Sequence, residues 1–267
     1  TFNLPDIKSN QKNGFKFIDN IGTGIIKSAS LYIENTLIET ISGEFIYNYF
    51  KINNLSGKNN IFDDMINADN TFHRHDSSKL DNDNKINKYY NTSPSIKSKK
   101  IAVPLIFWFT KNRGLSLPLI ALKYHQVYID FELRPLRDLC LVSEKENVTH
   151  TDSNSLDTTI ERYRWVKPSS NLNINNYFIN TFWELDPQLE INYIFLDNKE
   201  RNLIVKHPQQ YLIEQVRSFE IQNVEGIKNF EFEVYHPIKE IILVPKRTDM
   251  KNLNQWHNFS NLDYDNI

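Results

Sequence analysis

The run Ile101-Ala102-Val103-Pro104-Leu105-Ile106-Phe107-Trp108-Phe109 decides how the chain is read, together with Thr110-Lys111-Asn112-Arg113-Gly114 and Leu117-Pro118-Leu119-Ile120-Ala121-Leu122 behind it. The first part is apolar almost throughout, so as a strand from Ile101 to Trp108 it needs cover on both faces or a place at a packed subunit contact. Pro104 lacks a backbone donor and belongs near the strand's start, at an edge or at a bulge. Asn112-Arg113-Gly114 reads as a turn, and Pro118 fits the first turn of a short helix over Leu117 to Leu122. With a second strand over Gln126 to Leu133, the whole makes one stiff corner. Corners of this kind let two sheets stack about 10 Å apart around a core.

On both sides of this run, short apolar segments with period-two alternation or β-branched and aromatic enrichment recur, as half-buried strands require. They predict strands at Ile25 to Ile33, Thr36 to Ile41, Glu190 to Leu196, Tyr211 to Ile221, Phe230 to Tyr235 and Lys239 to Val244. Glu34-Asn35 divides the first two and supplies a tight turn, because Asn tolerates positive φ. Helical signals are short: Ser42 with Glu44 leads into Phe45 to Tyr49, and Asp197 to Val205 opens with an acidic turn. The Asn-rich polar tracts Asn53 to Asn60, Asp76 to Ser98 and Glu144 to Asn176 read as loops, and Arg134 to Phe182 as a long surface excursion. A break falls near Lys206 to Gln209, where His207-Pro208 stops a helix. The pattern is all-β, without the internal period of a solenoid or propeller.

Of 267 residues, 40% are hydrophobic and 13% aromatic, which is ample apolar surface for a core and argues against wholesale disorder. Lys and Arg number 31 against 33 Asp and Glu, a net charge of −2, so no positive excess is present to collect phosphates. The single cysteine, Cys140, cannot form an internal disulfide, and a reducing compartment is expected. No stretch reaches the roughly 18 apolar residues of a membrane span, and Thr1 to Asn20 lacks the pattern of a signal peptide.

At Val103 to Val127 the chain strongly resembles the major capsid proteins of the nucleocytoplasmic large DNA viruses, whose VPLPFWF, glycine-containing turn and LALPLIALQYHEV follow one another in the same way. Tyr193 to Arg201, with Tyr211 to Val216, is similar to their YIFLDTQER and YLIEQ segments. Ile21-Gly22 through Ile26 to Ile33, with Leu37-Ile38 and Gly43-Glu44-Phe45, is similar to their IGxxLIxSxELxIGGxxID and GEW run. The blocks keep the family's order and span about Phe15 to Pro245.

The resemblance implies a non-enzymatic structural protein of two consecutive jelly-roll β-sandwiches, with few short helices and long polar loops. Residues 1–207 are then expected to hold the first jelly roll, without its opening strands, and 208–267 the beginning of the second. Three chains make a pseudo-hexagonal homotrimeric capsomer that tiles an icosahedral shell. Implied partners are the chain itself, neighbouring capsomers and minor capsid proteins, with no direct nucleic acid and no membrane span. The expected location is the virion capsid, assembled in the host cytoplasm. The alternatives are a capsid-like paralogue or fragment that does not assemble, and a carbohydrate-binding or hydrolysing β-sandwich.

Residues with chemical potential read mostly as structural, and no catalytic, cofactor-binding or metal site is expected. His73-Arg74-His75-Asp76 near Asp63-Asp64 offers nitrogen and oxygen ligands, but no cysteine or third histidine stands at ligand spacing. Asp81-Asn82-Asp83-Asn84-Lys85-Ile86 departs from a calcium loop, which needs an oxygen ligand at Lys85, glycine at Ile86 and an acid at Thr92. Gly22-Thr23-Gly24 has Lys27 where a dinucleotide loop has its third glycine. Cys140 with His125 or His150 carries no nucleophile signature, and His125 reads as a hydrogen-bonded structural residue. The carboxylate pairs Glu144 with Glu146 and Glu231 with Glu233 face solvent. Asp197, Glu200 and Arg201 read as helix-end and ion-pair residues. The aromatics a sugar site needs, Trp108, Trp165, Trp183 and Trp256, are scattered. Sequons stand at Asn54, Asn91, Asn147 and Asn258.

Overall fold

The computed structural model describes residues 1–7, 15–54, 56–68, 98–151, 157–178, 183–222 and 224–260. Among them the framework is β-sheet with short helices. In chain order the elements are β1 (Phe2–Leu4), β2 (Phe15–Phe17), α1 (Ile21–Ile25), β3 (Ile26–Ile33), β4 (Thr36–Ile41), α2 (Gly43–Asn53), α3 (Ser56–Ile66), β5 (Lys99–Ile101), α4 (Trp108–Lys111), β6 (Val127–Leu133), β7 (Cys140–Thr151), β8 (Asp157–Val166), α5 (Asn198–Lys206) and α6 (Met250–Leu253). The strands form three sheets in the orders β1-β5, β2-β7-β8 and β4-β3-β6, and every pairing is antiparallel.

Alternation builds the β4-β3-β6 sheet as the sequence predicts. Ala29 and Leu31 of β3 are fully buried, while Tyr32 stacks on its cross-strand partner Tyr128 at 5.0 Å on the outer face. The β3–β4 hairpin turns at Glu34-Asn35, but the left-handed residue is Glu34, with φ of 53°, and not Asn35. A register shift beside Leu31 leaves Ile38 as an extra residue on β4. Leu37 is thereby turned outward, 51% exposed, while Glu39 stays opposite Leu31 on the core side at 3%.

Two of the three polar tracts hold more order than composition suggests, and residues 76–97 lie outside the described residues. Of residues 53–60, expected as a loop, Asn53 ends α2, Asn54 caps it and 56–60 lie in α3, whose Phe62 and Ile66 sit one turn apart on a buried face; Phe62 stacks on Phe50 at 4.6 Å. The expected excursion after Arg134 contains the β7–β8 hairpin, whose ladder runs from Val142↔Val166 to Thr151↔Asp157. The sequences of these two strands carry no sustained apolar alternation, so that signal could not reveal the hairpin.

The corner takes a different local form from the one expected. Only Lys99–Ile101 is strand, and Trp108–Lys111 is one helical turn. Pro104 cannot donate to a ladder, and the Thr110 hydroxyl closes the turn on Leu105 O (2.7 Å) and Phe107 O (2.9 Å). The run is nonetheless covered: Ile101, Ile106, Phe107 and Trp108 are buried. Asn112 Oδ1 accepts from Gly114 N at 3.0 Å to make the expected turn. Leu117 to Leu122 forms turns closed on Pro118 O instead of a helix.

Ser42 and Asp197 both cap helices. Ser42 Oγ accepts from Phe45 N at 3.1 Å, and Asp197 with Glu200 forms a reciprocal capping box. The expected strands at 190–196, 211–221, 230–235 and 239–244 make no ladder among the described residues. No described helix is long and apolar enough to cross a membrane.

Candidate functional site

Residues 183–246 leave the sheets as an arm that carries large apolar side chains in solvent. Phe195 is 93% exposed, Leu212 91%, Ile227 101% and Leu243 81%. Each such side chain, while exposed, forgoes roughly 1.5–3 kcal/mol of burial.

The arm is attached at three places. At its start, Thr1 and Gln188 exchange backbone hydrogen bonds, Trp183 Nε1 donates to Asn3 O at 2.8 Å, and Lys100 pairs with Glu190 at 3.1 Å. In its middle, Gln215 Nε2 donates to Ile38 O at 2.7 Å and Val216 N to Glu39 Oε1 at 3.0 Å, both on the free edge of β4. Lys111 joins the same seam, pairing with Glu214 at 2.8 Å, and Lys239 pairs with that carboxylate too. Burial pushes the Glu39 carboxyl up to about 7, against the lowering effects of the Val216 hydrogen bond and Lys111.

At its end the arm returns through α6 into the core. Arg134 is the receiving group. Its guanidinium donates to Gly24 O (2.6 Å) and Ile26 O (3.1 Å), pairs with Glu44 at 3.2 Å, and lies 4.2 Å from the Trp256 ring centre. Lys246 also binds Glu44. Asn254 Nδ2 donates to Arg137 O and Cys140 O, and Trp256 Nε1 to Asp138 O. His257 packs 4.6 Å from the Tyr47 ring with Nε2 3.2 Å from Thr23 Oγ1. Burial, reinforced by Arg134, depresses its pKa to about 3.

Residues weighed for chemistry are used structurally. Cys140 is buried, its Sγ 3.3 Å from Leu136 O, and burial pushes its pKa up to about 12; His125 is engaged with Glu34. These two are committed to separate partners. Gly22, Thr23 and Gly24 form buried α1, where an added Cβ on Gly22 would lie 2.8 Å from Ile66 Cα. Glu233 accepts from Tyr235 Oη in the arm. Asn54 ends α2, and Asn258 is buried against Gln255 and Ser260. Lys16 lies 4.7 Å from the Trp165 ring centre, and Trp108 packs edge-on to Phe109. His73 to Asp76, Asp81 to Ile86 and Asn91 lie outside the described residues, as do the side chains of Glu144, Glu146, Asn147 and His150. Among the described residues no group of three acidic, histidine or cysteine side chains is placed to hold a metal.

The sequence marks Glu44 only as an acid at a helix start and gives no role to Arg134 or Glu39 as anchors. The faint signal was an acid within the otherwise apolar row Leu37, Glu39, Ile41.

The described residues define a β-sheet protein with a long segment of exposed apolar side chains. Residues 2–197 match the family described as major capsid protein N-terminus, and the chain belongs to that family. Relatives include the major capsid protein of Chrysochromulina ericina virus, 33% identical over 145 residues, covering 53% of this chain and 22% of that one. Another is a probable capsid protein of Acanthamoeba polyphaga mimivirus, 24% identical over 297 residues and covering 84% and 53%. The chain thus spans about a fifth to about half the length of these curated relatives. The solved structure of PBCV-1 VP54, fitted into a cryo-EM reconstruction of the virophage Sputnik, aligns with a TM-score of 0.46 at 20% identity, over 80% of this chain and 38% of that one.

Proposed function

We propose that this chain is a non-enzymatic building unit of an icosahedral viral capsid, in which three copies form a pseudo-hexagonal capsomer. The observation that carries the reading is the arm: a member of this family holds Phe195, Leu212, Ile227 and Leu243 in water on a segment fixed to the sheets at three places. A segment anchored in this way keeps a defined shape and gains by burial against a neighbour. Around a closed threefold axis the contact is heterologous, one patch meeting a different one. Residues 1–207 serve as the first jelly roll and 208–267 as the opening of the second. Neighbouring capsomers and minor capsid proteins are the further partners, and assembly takes place in the host cytoplasm.

Sedimentation analysis of the purified chain tests the threefold association. A trimer at micromolar concentration is expected, and Leu212→Asp with Leu243→Asp shifts it to monomer. A wild-type chain that stays monomeric overturns self-association by this chain alone. The mass of the protein recovered from purified virions tests the capsid role itself.

A further inference from the structure

Two contacts inside the arm and one backbone angle agree on how this segment turns back on itself. The Phe219 and Phe232 rings lie 5.2 Å apart between centroids, and Glu214 pairs with Lys239. Between them Gly226 has φ of +69°, a left-handed value that a chain reversal uses and that glycine adopts without a Cβ penalty. Phe219 and Phe232 stand seven residues before and six after Gly226, and Glu214 and Lys239 twelve before and thirteen after. Both pairs are centred on the turn, as the facing residues of an antiparallel hairpin are.

The sequence divides the two segments to match. With Phe219 opposite Phe232, period two puts Ile213, Phe219, Ile221, Phe230, Phe232 and Val234 on one face, and each of them is 36–50% exposed. Glu214, Ser218, Glu220, Glu231 and Glu233 fall on the other face, with Lys239 one diagonal step from Glu214, a span that long side chains bridge. One segment is already held in place: Gln215 and Val216 bond Ile38 and Glu39 at the edge of β4, and Lys111 pairs with Glu214. Charge opposes closure, since Glu220 then stands opposite Glu231, and like charges facing across a strand pair are destabilising.

We propose that residues 211–221 and 230–239 are a strap poised to close into an antiparallel β-hairpin beside β4, with Phe219 opposite Phe232. Closure pairs backbone groups that make no ladder among the described residues, and it gathers dispersed apolar side chains of the arm onto one face. It takes place within a single chain, so it is read separately from any association between copies.

Disulfide trapping in the 267-residue chain tests this, because facing residues of an antiparallel pair stand about 4.5–5.5 Å apart between Cα atoms, within bridging range. Arg217→Cys with Val234→Cys places two thiols opposite each other and leaves the ring pair, the Glu214–Lys239 pair and Gly226 intact. Arg217→Cys with Glu233→Cys puts them on opposite faces, and Arg217→Cys with His236→Cys two residues out of register. The native Cys140 is buried and does not compete. The first pair is expected to form its intrachain bond about tenfold faster than either control. Adding Glu231→Lys, which turns the repulsion at Glu220 into attraction, is expected to speed it further. Equal rates for the three pairs, a faster bond in either control, or no effect of Glu231→Lys overturns the hairpin in this register.

Discussion

The Arg134 guanidinium lies 4.2 Å from the Trp256 ring centre while its nitrogens bond Gly24 O, Ile26 O and Glu44, so one side chain joins the end of β6, the α1–β3 junction, α2 and the C-terminal segment. Its side chain is only 8% exposed and Glu44 13%, which makes the pair costly to break from one side. Arg134→Lys keeps the charge but loses the planar fork and the ring contact, and should cost about 3 kcal/mol in urea unfolding. Trp256→Phe, which removes the Nε1 bond to Asp138 O, should cost about 1–2 kcal/mol. Because both variants weaken one shared contact, the double variant should lose less than the sum. Additive losses would show that the stacking contributes nothing.

His257 gives the fold a dependence on acid. In the folded chain its pKa is about 3 against an ordinary 6.5, so it stays neutral while the unfolded chain takes up a proton below about 6.5. Its contribution is complete above 6.5 and is lost as pH falls toward 3, at about 1.4 kcal/mol per unit. His257→Gln should remove this rise of stability with pH and leave the falling slope of Glu39 between about 4.5 and 7, whatever the variant's stability at pH 7. Urea midpoints measured from pH 4 to 7 read it, and an unchanged slope would mean that the imidazole is protonated in the folded state.

Glu39 works in the opposite direction. Burial raises it to about 7 from 4.5, so between these values the folded chain holds a proton that the unfolded chain has released. Its contribution is complete below 4.5 and is lost as pH rises through 7. Glu39→Gln keeps an acceptor for Val216 N and should be about 2 kcal/mol more stable than wild type at pH 8. From about 4.5 to 6.5 the slopes of His257 and Glu39 offset each other, and each single variant should expose the other's slope with its own sign. Equal stability of Glu39→Gln and wild type at pH 5 and pH 8 would place the carboxyl in water.

What sequence could supply was the local pattern. The strands read at Ile25 to Ile33, Thr36 to Ile41 and Gln126 to Leu133 form over Ile26–Ile33, Thr36–Ile41 and Val127–Leu133, and with the cap at Ser42 and the acidic start at Asp197 they depend on neighbours a few residues away. Phe62 and Ile66 carried a helical spacing that the surrounding asparagines obscured. The β7–β8 hairpin is held by its ladder, with no sustained apolar alternation in its sequence to announce it. The arm shows the reverse case, since its strand-like alternation is present but the ladder that would use it is absent among the described residues. Arg134, Glu39 and the Asn254 amide meet partners more than a hundred residues away, and no spacing rule reaches that far.

The glycines separate close approach from simple helix propensity, and this gives a prediction of opposite signs. A Cβ on Gly43 would stand 2.0 Å from Thr23 O and 2.4 Å from Ile26 O, both backbone atoms of the α1–β3 junction that cannot rotate away. Gly43→Ala must therefore separate α2 from that junction, displacing Glu44 from Arg134, and should cost at least about 3 kcal/mol. Gly57 lies in α3 with nothing within 4 Å of its added Cβ. Gly57→Ala should stabilise by about 0.5–1 kcal/mol, because alanine loses less backbone freedom on entering a helix. Thermal unfolding of the two variants beside wild type checks both signs at once. A tolerated Gly43→Ala would mean that α2 does not pack on the junction this closely.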